Sequence, residues 1–305
     1  MLCSGCTCDP PAQAPPPPVP ADAAPAPEQI ILDSIAVKSI DPAQPVELYP
    51  RQLAQQLGAA LVDSGLFASR PEDVAPGYRG RHATLELLIE YDPAGLGSRG
   101  TSALVVVIDA AIAWQDPAAL DPAPWDHLLA EQPWSPADEP GAAPSPPEPG
   151  AVATLVADAV AQIGARLVAR EQVRIGGDAA VTDLLSDRAA DADMHAWALA
   201  LVAHRRSRPL LDAVVPHLDA GRPGVQLAAI RALAAIGDAR AVAPLTRAVR
   251  FEDSEPLAAV IDAVATLGGD EAASFLEFVA SGHPDPALRA RAAEARAGLP
   301  AAAAQ

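Results

Sequence analysis

Six histidines, three cysteines and two carboxylates set into apolar runs are the residues with which this chain could do chemistry. His82, His127, His195, His204, His217 and His283 show no H-E-x-x-H or other metal-ligand spacing. No G-x-S-x-G, Walker A or G-x-G-x-x-G pattern occurs. The triplet Trp125-Asp126-His127 looks most like catalytic machinery, but no Ser or Cys nucleophile pattern stands near it. Asp33 and Asp109 each interrupt an apolar strand. Such carboxylates sometimes serve as acids or bases, and a strand edge or turn is the commoner cause. No catalytic, metal-binding or cofactor-binding residue is assigned on these patterns.

The cysteines are Cys3, Cys6 and Cys8, all at the start, so no disulfide or Cys-based zinc site supports the later domains. Cys3-x-x-Cys6-x-Cys8 could hold a soft metal. Ser4-Gly5-Cys6 resembles the end of a bacterial lipobox, in which small residues precede the cysteine that is cut and acylated. The resemblance makes Cys6 the lipidated residue. It also places the apolar part of a secretory leader upstream of Met1. From Pro10 to Pro27 half the positions are proline and most others alanine, a semi-rigid tether without a core. Residues 1–28 thus read as a truncated lipobox and disordered tether.

Net charge is −18 over 305 residues, with most of the excess acid before residue 190. Phosphate binding needs clustered Lys and Arg, so nucleic acid is excluded as a partner. Half the residues are apolar and only 4% aromatic, so the core must be Ala, Leu, Val and Ile. No run of about 18 apolar residues marks a membrane span.

Elements that could position a site begin at Ile30, where a strand runs to Ile40. A helix follows over about 48–64. Leu53, Leu57, Leu61 and Ser64 fall on one stripe, and Gly65 is placed to end it in a left-handed conformation. Leu85, Leu87, Ile89 and Tyr91 alternate with Thr84, Glu86, Leu88 and Glu90 in a half-buried strand. Ala103–Trp114 is apolar nearly throughout, which predicts a central strand or one covered on both faces. Residues 116–150, with ten prolines, read as a long irregular loop holding one helical turn near Trp125–Ala130. A helix from Val152 to about Arg170 closes an α/β (α+β) domain of βαββα order over 29–175. The stretch LAQQLGAALVDSGLF followed by ATLELLIEYD resembles a small α/β domain of curli-secretion and penicillin-binding-protein activator lipoproteins. No functional residue is carried over from that resemblance.

After a connector at 176–189, residues 190–299 repeat themselves. AAIRALAAIG, ending at Gly237, and AVIDAVATLG, ending at Gly268, lie 31 residues apart. The offset aligns Ile230 with Ile261, Leu233 with Val264 and Leu245 with Leu276. Asp238 is placed to cap the helix after the first turn. A weaker copy has helices over Met194–Ala203 and Pro209–Leu218, Phe275, Phe278 and Val279 share a face of the last pair, and 285–297 forms a polar capping helix. Residues 300–305 are a tail. LAAIRALAAIGDARAVAPLTRAV resembles HEAT repeats of the short bacterial kind. The resemblance implies an all-α solenoid over 190–299 whose second helices line a protein-binding surface. Arg247 and Arg250 are its candidate contact residues. The function expected is a non-enzymatic scaffold that binds an unidentified protein partner. It is lipid-anchored and faces the periplasm, most naturally at the outer membrane. The alternatives are a cytosolic HEAT adaptor and an enzyme accessory resembling lyase-like HEAT proteins.

Overall fold

The computed structural model describes residues 28–39, 49–92, 104–114, 126–134, 149–219 and 221–299. Cys6, the tether, Trp125 and the tail 300–305 lie outside the described residues.

The N-terminal part is a five-stranded sheet in the order β2-β1-β3-β4-β5. β1 (Glu28–Ser39) lies parallel to β3 (Arg79–Asp92) and to the two-residue β2 (Phe67–Ala68). The crossover between β1 and β3 contains α1 (Pro50–Asp63). β3, β4 (Leu104–Trp114) and β5 (Asp126–Trp134) form an antiparallel meander. Proline opens α1, and Gly65 at φ 75° follows its end, as the stop signal at that position predicts. Buried Gln29 pins β1 to the crossover. Its Nε2 donates to the Gly65 carbonyl, and its Oε1 accepts from the Ala75 amide.

Period-two burial gives the sheet one covered face. Leu85, Leu87 and Ile89 from β3 and Val106, Ile108, Ala110 and Ile112 from β4 are buried beneath two helices. The first is α1, through Leu53, Leu57 and Leu61. The second is α2 (Pro149–Ser186), through Val152, Val156, Ala159, Ile163 and Leu167. By length and composition Gly150–Ser186 would also suit a bilayer. In the fold its first half serves the sheet core, and Val181 and Leu185 near its end serve the repeat core.

Three expectations for this part need correction. The segment expected to be loop with a helical turn at Trp125–Ala130 contains β5 from Asp126, which is paired with β4. It is an edge strand, the place in a sheet where a proline such as Pro133 is tolerated. With β2 and β5 the element order is longer than βαββα. β4 is central, as one of the two readings of its apolar run has it, and Val107, Asp109, Ala111 and Ala113 on its second face are only partly buried. Its apolar run therefore does not report two covered faces. Much of the connector expected at 176–189 is helix, because α2 continues to Ser186 through a kink at Gly177 (φ 67°, ψ −155°).

The C-terminal part is helical. α3 (Ala192–Arg205), α5 (Pro223–Ile236), α7 (Ser254–Leu267) and α9 (Pro286–Ala297) pack in succession. Between them come α4 (Leu211–Val214), α6 (Val242–Ala248) and α8 (Gly269–Gly282). Aligned repeat positions are buried together: Ile230 with Ile261, Leu233 with Val264, Leu245 with Leu276. The expected single helix over Pro209–Leu218 is instead α4 flanked by 3-10 turns at Arg208–Leu210 and Val215–Asp219. Pro209 and Pro216 interrupt its amide ladder.

The two repeat turns share a sequence signature but not a conformation. Gly237 ends α5 in the left-handed region (φ 70°, ψ 25°), and the Asp238 carboxylate caps the next turn by accepting from the Arg240 amide. Gly268 has φ 70° and ψ −165°, and a second glycine, Gly269, follows at φ 88°. A side chain at 237 would meet nothing closer than the Ala235 carbonyl oxygen at 4.0 Å. Its cost is therefore conformational. Gly237→Val is expected to destabilise the chain by about 1–2 kcal/mol. An unchanged urea midpoint would contradict the left-handed turn.

One stripe of α2 joins the two parts. Arg166, Arg170 and Arg174 recur every four residues along one side of the helix. Arg166 donates to the Leu129 carbonyl of β5 (2.5 Å) and to Asp191 (2.9 Å), the cap of α3. The Arg170 guanidinium lies 5.4 Å from the Trp197 ring centre on α3. Arg174 grips Glu171 and reaches Glu28 of β1 (3.3 Å), and its carbonyl accepts from Arg205 of α3 (2.8 Å). Glu28 also accepts from buried Arg81 (3.2 Å).

Candidate functional site

The most exposed aromatic surface on the repeats sits on α8. Its apolar stripe, Ala272, Leu276 and Val279, is buried, which turns Glu271, Ser274, Glu277 and Phe278 to solvent. Phe278 is 61% exposed, so it does not share the core face with Val279, as the i, i+3, i+4 spacing with Phe275 suggested. Its ring leans on Phe251, in the turn between α6 and α7, at a centre-to-centre distance of 5.4 Å.

His283 fixes that arrangement. Its ring is 4.5 Å from Phe251, its Nε2 donates to the Phe251 carbonyl (2.8 Å), and its Nδ1 accepts from the Asp285 amide (3.0 Å). The pair of contacts defines one neutral tautomer and ties the α6–α7 turn to the start of α9. Asp285 caps α9 through the Ala287 amide, and Arg289 covers the His283 and Pro284 carbonyls. The charges on α9 reach inward as well as to water. Arg291 pairs with Asp262 of α7, and Arg296 pairs with Glu277 of α8.

Arg247 and Arg250, the contact residues expected from the sequence, are both exposed. Arg247 lies on α6, where its Nε donates to the Ala243 carbonyl (3.0 Å). Arg250 lies in the turn after α6, next to Phe251, not on the helix itself. The sequence does not signal the aromatic pair, because Phe251 falls between repeat units and the spacing of Phe278 from Phe275 is that of a core position. On the opposite layer, α5, α7 and α9 border a shallow groove of about 310 Å³ that holds Leu227, Ile230, Arg231 and Asp262.

Residues 211–297 match a family model of HEAT repeats. The match spans α4 through α9, so the aromatic pair, His283 and both arginines lie on HEAT-repeat sequence. No curated protein and no solved structure matches the chain.

The remaining expected chemistry is dispersed. Asp33 stands where the β1–β3 register slips between Leu32 and Ser34, and it accepts from His82 (2.7 Å between Oδ1 and Nδ1). Asp109 is partly buried in mid β4. Asp126 and His127 open β5, and His204 is exposed near the end of α3. No group of three metal-ligating side chains occurs among the described residues.

The fold brings together two histidines that the sequence keeps 22 positions apart. His195 and His217 are both buried, with ring centres 5.0 Å apart. His195 Nε2 lies 3.2 Å from the Leu184 carbonyl and 3.0 Å from the Asp187 carbonyl. His217 Nε2 lies 3.1 Å from the Leu185 carbonyl. Both rings therefore donate through Nε2 and cap the end of α2. Burial, His195 and Arg222 hold the His217 pKa below the ordinary histidine value, and the Leu185 bond offsets this only in part. A base with a depressed folded pKa binds fewer protons folded than unfolded. Its stabilisation is full above the ordinary value of about 6.5 and is lost as pH falls toward the folded value. Thermal midpoints are expected to drop between about pH 7 and 5, less steeply in His217→Gln. Parallel pH profiles for the two proteins would contradict this assignment.

Proposed function

We propose that the protein is a non-enzymatic scaffold that docks a protein partner on the second-helix face of a short HEAT-repeat solenoid. The observation that carries the reading is Phe278, a large ring 61% exposed, stacked on Phe251 and held by buried His283. A preset aromatic with little rotamer freedom to lose is the usual anchor of a protein interface. Exposed Arg247 and Arg250 lie on the same repeats as exposed Glu252, Glu271 and Glu277, so the rim carries both signs of charge and suits a partner segment that sets an apolar side chain among polar groups.

The same reading places the scaffold at a bacterial envelope membrane, facing the periplasm through an acylated Cys6 and the Pro/Ala tether. Ser4-Gly5-Cys6 supports this. Palmitate labelling of protein made from its native upstream DNA, beside Cys6→Ala, tests the anchor. Label lost in the variant supports it. Absence of label in both leaves a cytosolic adaptor with the same binding face.

A photo-crosslinking residue at 278, with one at Arg231 on the opposite layer as control, tests the face in the native cell. A discrete adduct from 278 alone is expected. Phe278→Ala should weaken capture of that partner at least about tenfold while leaving the melting temperature unchanged. Adducts from both positions, or from neither, would end the reading.

A further inference from the structure

We infer that the cleft between the end of α2, α4 and the approach to α5 is a binding site for a small organic anion carrying a phosphate or carboxylate group. The cleft encloses about 770 Å³ and is lined by Thr182, Ser186, Arg188, Asp212 and Arg222 together with the two stacked histidines. That volume falls within the range of about 300–1,000 Å³ typical of small-molecule sites and far exceeds a lone phosphate. The oxyanion is thus one end of a larger ligand.

The charge of the wall decides the sign. Two arginines face one carboxylate, in a chain whose net charge is −18. A positive recess in an acidic molecule focuses anions by local field, because its low-dielectric walls concentrate the potential. Arg188 and Arg222 are exposed, which leaves their forks able to close on a ligand.

The histidines add a proton to the event. Their Nε2 atoms are committed to the Leu184, Leu185 and Asp187 carbonyls, so the imidazoles stand between those carbonyls and the cleft. Nδ1 of His217 is left as an acceptor, which repels an anion until it is protonated. The charged groups that line the cleft beside the pair are Arg188 after α2, Asp212 on α4 and Arg222 before α5, and Asp187 and Asp191 contact His195 through their backbone carbonyls. His195 and Arg222 oppose a proton on His217. A bound oxyanion screens that repulsion and accepts from Nδ1–H. By linkage, binding takes up a proton and tightens as pH falls toward 6.

The test is an imidazole NMR titration of the full chain at pH 6.5. The probes are inorganic phosphate and acetate at matched ionic strength, set against chloride. Saturable shifts confined to His195 and His217 are expected with at least one probe, and which probe acts separates phosphate from carboxylate chemistry. Arg188→Gln and Arg222→Gln should each weaken binding about tenfold, the usual worth of one charge-assisted contact. Affinity should also fall when the titration is repeated at pH 7.5. Shifts that fail to saturate with both probes, that match chloride, or that persist unchanged in the double arginine variant would overturn the assignment.

Discussion

Glu171→Gln is expected to destabilise the chain by about 2–4 kcal/mol, although it changes only the charge of one side chain. Glu171 is 4% exposed and receives both the Nε and Nη2 of Arg174, at 2.7 and 2.5 Å. Arg174 shares its other arm with Glu28, which must also serve Arg81. Burial, and then the neighbouring Arg174, already push the Arg81 pKa down. Removing one of the two carboxylates leaves two guanidiniums facing a single partner in a site with little water. Breaking a buried pair typically costs about 3–5 kcal/mol, and the partial exposure of Glu28 screens some of it. Arg174→Met in the Glu171→Gln background should recover part of the loss, since no buried charge then lacks its counterpart. Urea denaturation of the two single variants and the double decides it. A loss below about 0.5 kcal/mol for Glu171→Gln would mean that water screens the cluster as it would a surface pair.

That cluster shows which parts of the architecture were legible in the sequence. Periodicity located β1, α1 and β3 because each buries one face, and burial of one face is what a period records, while β4 showed itself as an apolar run. The 31-residue offset found the best repeat pair because Ile230, Leu233 and Leu245 meet equivalent surroundings to Ile261, Val264 and Leu276. β5 was hidden because its segment is dominated by prolines, and a four-residue core of His127-Leu128-Leu129-Ala130 is too short to show a period. The end of α2 was hidden for another reason. Gly176-Gly177 reads as a break, and it is one, but the chain resumes a helix beyond it.

The candidate site was legible only in outline. Exposure of Arg247 follows from helix phase, whereas Arg250 sits in the turn after α6 and the Phe251–Phe278 contact joins residues 27 apart in sequence. His195 and His217 could not be paired without knowing that both close over the same helix end. One signal was present and unused. The spacing of Arg166, Arg170 and Arg174 puts three cations on one stripe of a helix whose other face is apolar, and cations placed so need carboxylates or carbonyls from a neighbour.

Gly177→Ala should destabilise the protein by about 2–4 kcal/mol, opposite in sign to what helix propensity alone gives. In a straight helix the exchange would stabilise by roughly 1 kcal/mol, since alanine is the better helix former. Gly177 instead has φ 67° and ψ −155°, a region open almost only to glycine. A Cβ there meets no atom within 4 Å, so no steric clash is involved and the whole penalty lies in the backbone. The variant has two choices. It keeps the kink and bears the strain, or it relaxes to helical angles and swings residues 178–186 off their line. The second choice withdraws Val181 and Leu185 from the repeat core and pulls the Leu184 and Leu185 carbonyls away from His195 and His217. Either way the end of α2 no longer fits both the sheet and the repeats. Gly150→Ala, at the exposed start of the same helix, also meets nothing within 4 Å and should stay within about 0.5 kcal/mol of the parent. If Gly177→Ala raises the urea midpoint, α2 is straight in solution and the junction built on its kink is wrong. If it lowers the midpoint and also shifts the imidazole signals of His195 and His217, the kink is what seats the helix end beneath those two rings.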